Sequence, residues 1–206
     1  TRWQGPDSQR HVIFAGNAAV ALKGIHVLLE ALVLLRREYP DVRLVIAGER
    51  PAAQRSRFKR MVGYPAYLMD RIRQLGLESQ VEFTGVLGAD EMAKRMARSH
   101  VYAMASIIEN SPNTMGEAMM LGMPCVCSYA GGAPGMARDE SEALFFRAGD
   151  PVTMAHQYKR LFDSDALCAR LGEAAHARAE QTHDPDANLQ DLLDAYRAIL
   201  QPEQLR

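Results

Sequence analysis

Cysteine is scarce. The chain has three, Cys125, Cys127 and Cys168, too few and too odd in number for a disulfide framework. Cys125 and Cys127 lie two apart in an apolar stretch and are expected on opposite faces of a strand rather than on one metal. They read as reduced core residues, which fits a cytoplasmic protein. No apolar run approaches ~18 residues, so no spanning helix is expected. The opening TRWQGPDSQR lacks both the apolar centre of a signal peptide and an initiator Met, and the expectation is a segment of a longer chain. An excess of one charge is also missing. Lys and Arg total 24 against 25 Asp and Glu, which argues against a strongly basic nucleic-acid binder. Gly16 is followed by Asn-Ala-Ala-Val, so neither a dinucleotide G-x-G-x-x-G nor a Walker G-x-x-x-x-G-K-[ST] is present there. Repeats and low-complexity tracts are lacking too. The D-x-D of Asp163-Ser164-Asp165 falls between two helical patterns, and Asp165 reads as an N-cap rather than a metal ligand.

What is present is ordinary globular material. In 206 residues, 48% are hydrophobic and 24% charged, enough for a sizeable core in one large domain. Short apolar runs alternate with longer helical patterns. The runs are His11–Ala15, Arg43–Ala47, Val81–Thr84, Val101–Ala105, Pro124–Ser128 and Ala143–Phe146. Several are apolar on both faces, as strands of a covered parallel sheet are. Helices are expected over Gly24–Glu38, Tyr67–Leu75, Asp90–Arg98 with Asp90 as N-cap, Asn113–Leu121 after Ser111-Pro112, Val152–Phe162 after Asp150-Pro151, Ala166–Glu180 and Asp186–Leu200. The fold class is therefore α/β, a doubly wound, Rossmann-like parallel sheet. Ligands of such sheets bind outside the carboxyl ends of the strands, here the loops after Ala15, Ala47, Thr84, Ala105 and Ser128. One segment, Glu49–Pro65, is long and basic, with Arg50, Arg55, Arg57, Lys59 and Arg60. It is either a solvated excursion or a surface that attracts phosphates or an anionic membrane.

The most informative stretch is Val101 to Ala137. At the chain's average composition it would hold about nine charges, and it holds two, Glu109 and Glu117. A carboxylate in such surroundings needs a partner or a task; the plainer alternative is exposure, or pairing with a distant Arg. Ser111 is read as capping a helix that starts at Pro112, leaving the N–H groups of Asn113 and Thr114 free at its first turn. Such a helix end receives phosphate well. Glu109 precedes it, and Glu117 lies roughly 7 Å further along at ~1.5 Å per residue. The layout of acceptor, anion hole, acceptor matches the sugar hydroxyls, diphosphate and ribose hydroxyls of a nucleotide sugar.

With its flanks, E-N-S-P-N-T-M-G-E-A-M-M-L-G-M-P-C-V-C-S-Y-A-G-G resembles the E-x7-E signature of retaining glycosyltransferases of the two-domain GT-B fold, glycosyltransferase family four (glycosyl transferases group 1). F-A-G-N-A-A-V-A-L-K-G resembles that family's first glycine loop, and R-L-V-I-A-G and V-E-F-T-G-V its next strand ends. The resemblance covers about residues 11–200 and implies the C-terminal, donor-binding half of a GT-B architecture. It implies Lys23 and Glu109 as catalytic residues, and a donor site of Gly16, Asn17, Lys23, Gly85, Val86, Glu109, Asn113, Thr114 and Glu117. Glu109 would meet the sugar, Glu117 the ribose, Asn113 and Thr114 the diphosphate, Lys23 the departing phosphates, and Val86 the base. No metal and no cofactor is implied, because a cation and a helix end stabilise the leaving group. The partners implied are a nucleotide-sugar donor and a glycan or lipid-linked acceptor held by an absent N-terminal domain. Peripheral membrane contact is permitted by the basic segment, and no nucleic acid is expected. The chain departs from the family at Asn17, where an arginine is usual, and at Gly135, where Glu commonly follows the G-G-x-P loop. A sugar-nucleotide epimerase and a non-catalytic nucleotide-sugar-binding module remain open alternatives. Residues 1–206 read as one domain, with residues 184–206 a helix and tail that pack toward the missing domain, and Trp3 is expected at the interdomain seam. The Met115, Met119, Met120, Met123 run is read as pliable core.

Overall fold

The computed structural model describes residues 1–16, 20–51 and 63–200. Its centre is a sheet of six strands: β1 (Val12–Ala15), β2 (Arg43–Ile46), β3 (Val81–Phe83), β4 (Val101–Met104), β5 (Cys125–Ser128) and β6 (Leu144–Phe146). All pairings are parallel, in the order β3-β2-β1-β4-β5-β6. The order reverses between β1 and β4, the place where the loops of such a sheet diverge and leave a crevice. Among the described residues eight helices flank it: α1 (Ile25–Leu35), α2 (Tyr64–Gln74), α3 (Ala89–Arg98), α4 (Asn113–Leu121), the short α5 (Ala133–Met136), α6 (Pro151–Phe162), α7 (Asp165–Thr182) and α8 (Pro185–Leu200).

Two buried clusters, one on each sheet face, hold this together. Ile13, Val126 and Leu144 pack with Leu28, Leu32, Leu68 and Leu161; Val12, Phe14 and Phe145 pack with Met96, Met115, Met119 and Ala175. The strands are apolar on both sides because both sides are covered. Here one expectation is corrected. Cys125 and Cys127 lie in the same cluster, and Val126 between them lies in the other. A strand repeats every two residues, so i and i+2 share a face. All three cysteines are buried and unpaired.

Capping separates strong signals from weak ones. Asp150 accepts from the N–H groups of Val152 at 2.9 Å and Thr153 at 3.1 Å, with Pro151 in the first turn of α6, as its sequence suggests. Three other assignments are corrected. Gly88, not Asp90, precedes α3. Pro112 occupies the cap position of α4, with no side chain bonded there. Ser164 caps α7 through Leu167 N–H, while Asp165 forms a two-pronged ion pair with Arg10, at 3.0 and 2.9 Å. Trp3 is tied to its own sheet: its indole N–H donates to Ser99 O at 2.8 Å and its backbone N–H to Leu121 O, near the amino-terminal ends of β4 and β5. His100 and Ser106 lie at opposite ends of β4, and His100 Nδ1 accepts from His11 N–H.

Candidate nucleotide-sugar site

The loops leaving β1 and β4 meet through a glycine. Gly24 has φ +67, and a β-carbon on it would sit 1.9 Å from Ala105 O. Only glycine tolerates that approach in the left-handed region. The preceding 3-10 turn, Ala21–Lys23, is tied to the same loop by Ile107 N–H to Leu22 O at 2.8 Å. These contacts carry Lys23 to Glu109, and Lys23 Nζ donates to Glu109 Oε2 at 2.6 Å. From the other side, the Gly131-Gly132 turn after β5 presses on the same segment. A β-carbon on Gly131, at φ +54, would sit 1.6 Å from Glu109 O, and Gly132 N–H donates to Asn110 O at 2.8 Å.

Glu109 is thereby held on both oxygens. Oε2 accepts from Lys23 and from Ser106 Oγ at 3.0 Å, and Oε1 from Asn110 N–H at 3.1 Å. Its side chain is 12% exposed, and that of Lys23 37%. Burial pushes the carboxyl up, but the hydrogen bonds from Lys23, Ser106 and Asn110 outweigh it and hold it below its ordinary value. It is a carboxylate at neutral pH.

Beside this pair lies a cavity of about 270 Å³ lined by Gly16, Lys23, Ser106, Glu109, Asn113 and Thr114. Gly16 and Thr114 also border a wider groove of about 570 Å³ that includes Gly48, Val86 and Glu117. The two form one cleft across the strand-order reversal. Where they join stands the first turn of α4. Among the described residues, no acceptor meets the N–H of Asn113 or Thr114. Those donors and the positive end of the helix dipole face an open cavity, which suits an anion. Glu117 is exposed along the groove. Gly85, at φ +76, bonds reciprocally with Gly48 at 3.0 Å each way, and this bridge presents Val86 at the rim, 80% exposed.

Eight of the nine residues expected at the donor site are thus lining the cleft or its immediate rim; Asn17 lies outside the described residues, as do Arg55, Arg57, Lys59 and Arg60 of the basic segment. Sequence reasoning missed Ser106 as a partner of Glu109, and it named the Lys23-Gly24 and Gly131-Gly132 loops without seeing that Gly24 and Gly131 press on the segment that carries Glu109. A Lys-Gly pair and a Gly-Gly pair, each just after an apolar run, were the only signals available. It also missed the Lys23–Glu109 pair, formed across 86 residues. Of the methionine run, Met115, Met119 and Met123 are fully buried, but Met120 is exposed and borders a groove with Met92 and Met96. Asp163 and Asp165 are engaged by Lys159 and Arg10, and among the described residues no three His, Cys, Asp or Glu side chains converge as for a metal.

Sheet order and cleft define a Rossmann-like α/β domain with an open crevice at its switch point. The chain belongs to the glycosyl transferases group 1 family, whose model matches residues 9–164. It is 28% identical over 173 residues to the D-inositol 3-phosphate glycosyltransferase of Streptomyces scabiei, an alignment that takes in 82% of this chain and 37% of that protein. Among solved structures, Anabaena Alr3699/HepE in complex with UDP matches with a TM-score of 0.79 at 24% identity, over 91% of this chain and 49% of that one. The C-terminal domain of the Francisella tularensis group 1 glycosyl transferase LpcC matches with a TM-score of 0.71 at 20% identity, over 85% and 87%. The fold is that of one half of a GT-B glycosyltransferase. The chain spans less than half the length of the curated relatives it matches.

Proposed function

We propose that this chain is the donor-binding part of a retaining glycosyltransferase that moves a sugar from a nucleoside-diphosphate sugar to an acceptor. The observation that carries the reading is the open first turn of α4 set between two acidic side chains, with Lys23 beside it. The diphosphate lies over the N–H groups of Asn113 and Thr114. Glu117 accepts from the ribose hydroxyls, Val86 borders the base, and Glu109 accepts from the sugar. As the glycosidic bond breaks, charge grows on the departing phosphate. Lys23 and the helix end stabilise it in place of a metal. The acceptor, a glycan or a lipid-linked sugar, is held by a part of the protein outside these residues. Helix α8 supports that division. Leu189, Leu192, Leu193, Tyr196 and Ile199 are all exposed on it, a stripe of helical spacing that fits a further domain. The buried, unpaired thiols support a cytoplasmic setting. No helix among the described residues is long and apolar enough to cross a membrane, and the basic segment is proposed to supply any peripheral membrane contact.

Titration of UDP, GDP and ADP into the folded chain tests the reading. UDP comes first because a structural neighbour was solved with it. Saturable binding of one nucleoside diphosphate is the expected result; a folded sample that binds none of them sinks the assignment.

A further inference from the structure

Glu109 is held by two side chains of different character. Lys23 is partly exposed and, among the described residues, is the one Lys or Arg that lines the cavity. A diphosphate carries more charge than one carboxylate and competes for that ammonium group. Ser106 is 3% exposed and has no such freedom. Its carbonyl oxygen accepts from Ser128 Oγ at 2.5 Å, and Ser128, the last residue of β5, is fully buried. Its hydroxyl donates to Glu109 Oε2. The link thus runs from the sheet, through Ser128 and Ser106, to the carboxylate.

We propose that Ser106 is a positioning residue, whose buried hydroxyl, anchored to β5 through Ser128, keeps the Glu109 carboxylate in place when Lys23 turns to the ligand's phosphates. A carboxylate has about four lone-pair directions. Three are filled here, by Lys23, Ser106 and Asn110 N–H; once Lys23 turns away two stay filled, which leaves room for about two sugar hydroxyls. When Lys23 departs, the serine and the backbone amide prevent the freed carboxylate from swinging toward the ammonium or into solvent. The inference rests on the proposed donor reading for the task of Glu109, but its test does not.

That test is a ¹³C NMR titration of the Glu109 carboxyl carbon in the 206-residue chain, with and without saturating UDP. Lys23 is the only charged side chain bonded to Glu109 among the described residues. In wild type, the Ser106 hydroxyl stabilises the ionised form. Ser106→Ala is expected to raise the Glu109 midpoint by about one pH unit, with the larger rise when UDP is bound, and Ser106→Thr to restore it. A serine that only filled space would leave the midpoint where it is. Ser106→Cys keeps nearly the same volume with a weak donor, and decides the matter should the alanine variant lose its amide spectrum. An unchanged midpoint in the variant that folds overturns the proposal. Failure of wild type to bind UDP overturns the donor reading and the departure of Lys23 with it, whereas the ligand-free titration by itself decides whether the Ser106 hydroxyl holds the carboxylate.

Discussion

Glu109 and Glu117 are the same residue type in one charge-poor stretch, yet their surroundings differ completely. Glu109 is enclosed and bonded to Lys23, Ser106 and Asn110 N–H; Glu117 is exposed on the groove side of α4. Their substitutions are therefore expected to diverge. On the proposed donor reading, Glu117→Ala removes the acceptor for two ribose hydroxyls. Hydrogen bonds to a charged group contribute about 1.5–3 kcal/mol, so UDP affinity should fall roughly ten- to a hundredfold by calorimetry. Glu109→Ala releases Lys23 for the phosphates and should leave UDP affinity equal or higher, while losing discrimination among donor sugars. Equal UDP binding by wild type and Glu117→Ala would remove that residue from the site. Both acids were evident in the sequence as isolated charges. The cation that meets one of them was not, because it lies far away in the chain.

The sheet and helices were legible because each strand is a short apolar run and each helix a longer periodic one. All seven expected helices begin within three residues of their expected starts, for a packing reason more than a capping one: Asp90, Ser111 and Asp165 all look like caps and none acts as one. A side chain caps only when its rotamer can reach the second or third N–H of the turn, as Asp150 and Ser164 do. The loops matter more for the site than the helices they join. Gly24→Ala combines a left-handed backbone with a β-carbon driven into Ala105 O. We expect a loss of at least ~2 kcal/mol in urea unfolding, together with displacement of Lys23 and weakened UDP binding. A fully stable variant with normal UDP affinity would show that the turn does not set the lysine's position.

For the molecule as a whole, the acid limb of stability should bear the mark of His100. It is completely buried at the amino-terminal end of β4, where it meets His11 N–H and lies 3.5 Å from Cys168 Sγ through Nε2. Burial is the main cause that lowers its pKa from 6.5 to about 4, aided by His11 and Arg10 and opposed by Asp165 and Asp7. Above pH 6.5 it is neutral in folded and unfolded chains alike and contributes nothing to pH dependence. Below that value the unfolded chain takes up a proton that the folded one refuses. Stability should then fall by about 1.4 kcal/mol per pH unit until pH ~4, roughly 3 kcal/mol in all. His100→Gln, compared with wild type by urea midpoints across that range, should flatten the slope; an identical slope would assign the acid limb to other groups.

At this scale the two sources of order separate. The sequence by itself determined the class of fold, the number and direction of the strands and the two acids, since periodicity, run length and local charge are properties of neighbours along the chain. It erred on the faces of Cys125 and Cys127 by a wrong reading of the strand period, and it was silent on the bond from the Trp3 indole to Ser99 O because nothing local says which carbonyl an indole will meet. Only the tertiary structure decided that Lys23 is bonded to Glu109, that Ser106 and Ser128 brace the same carboxylate, and that an uncapped helix end opens into the cleft. Each of these depends on segments that are distant in the chain and become adjacent only when the order of the parallel strands reverses between β1 and β4.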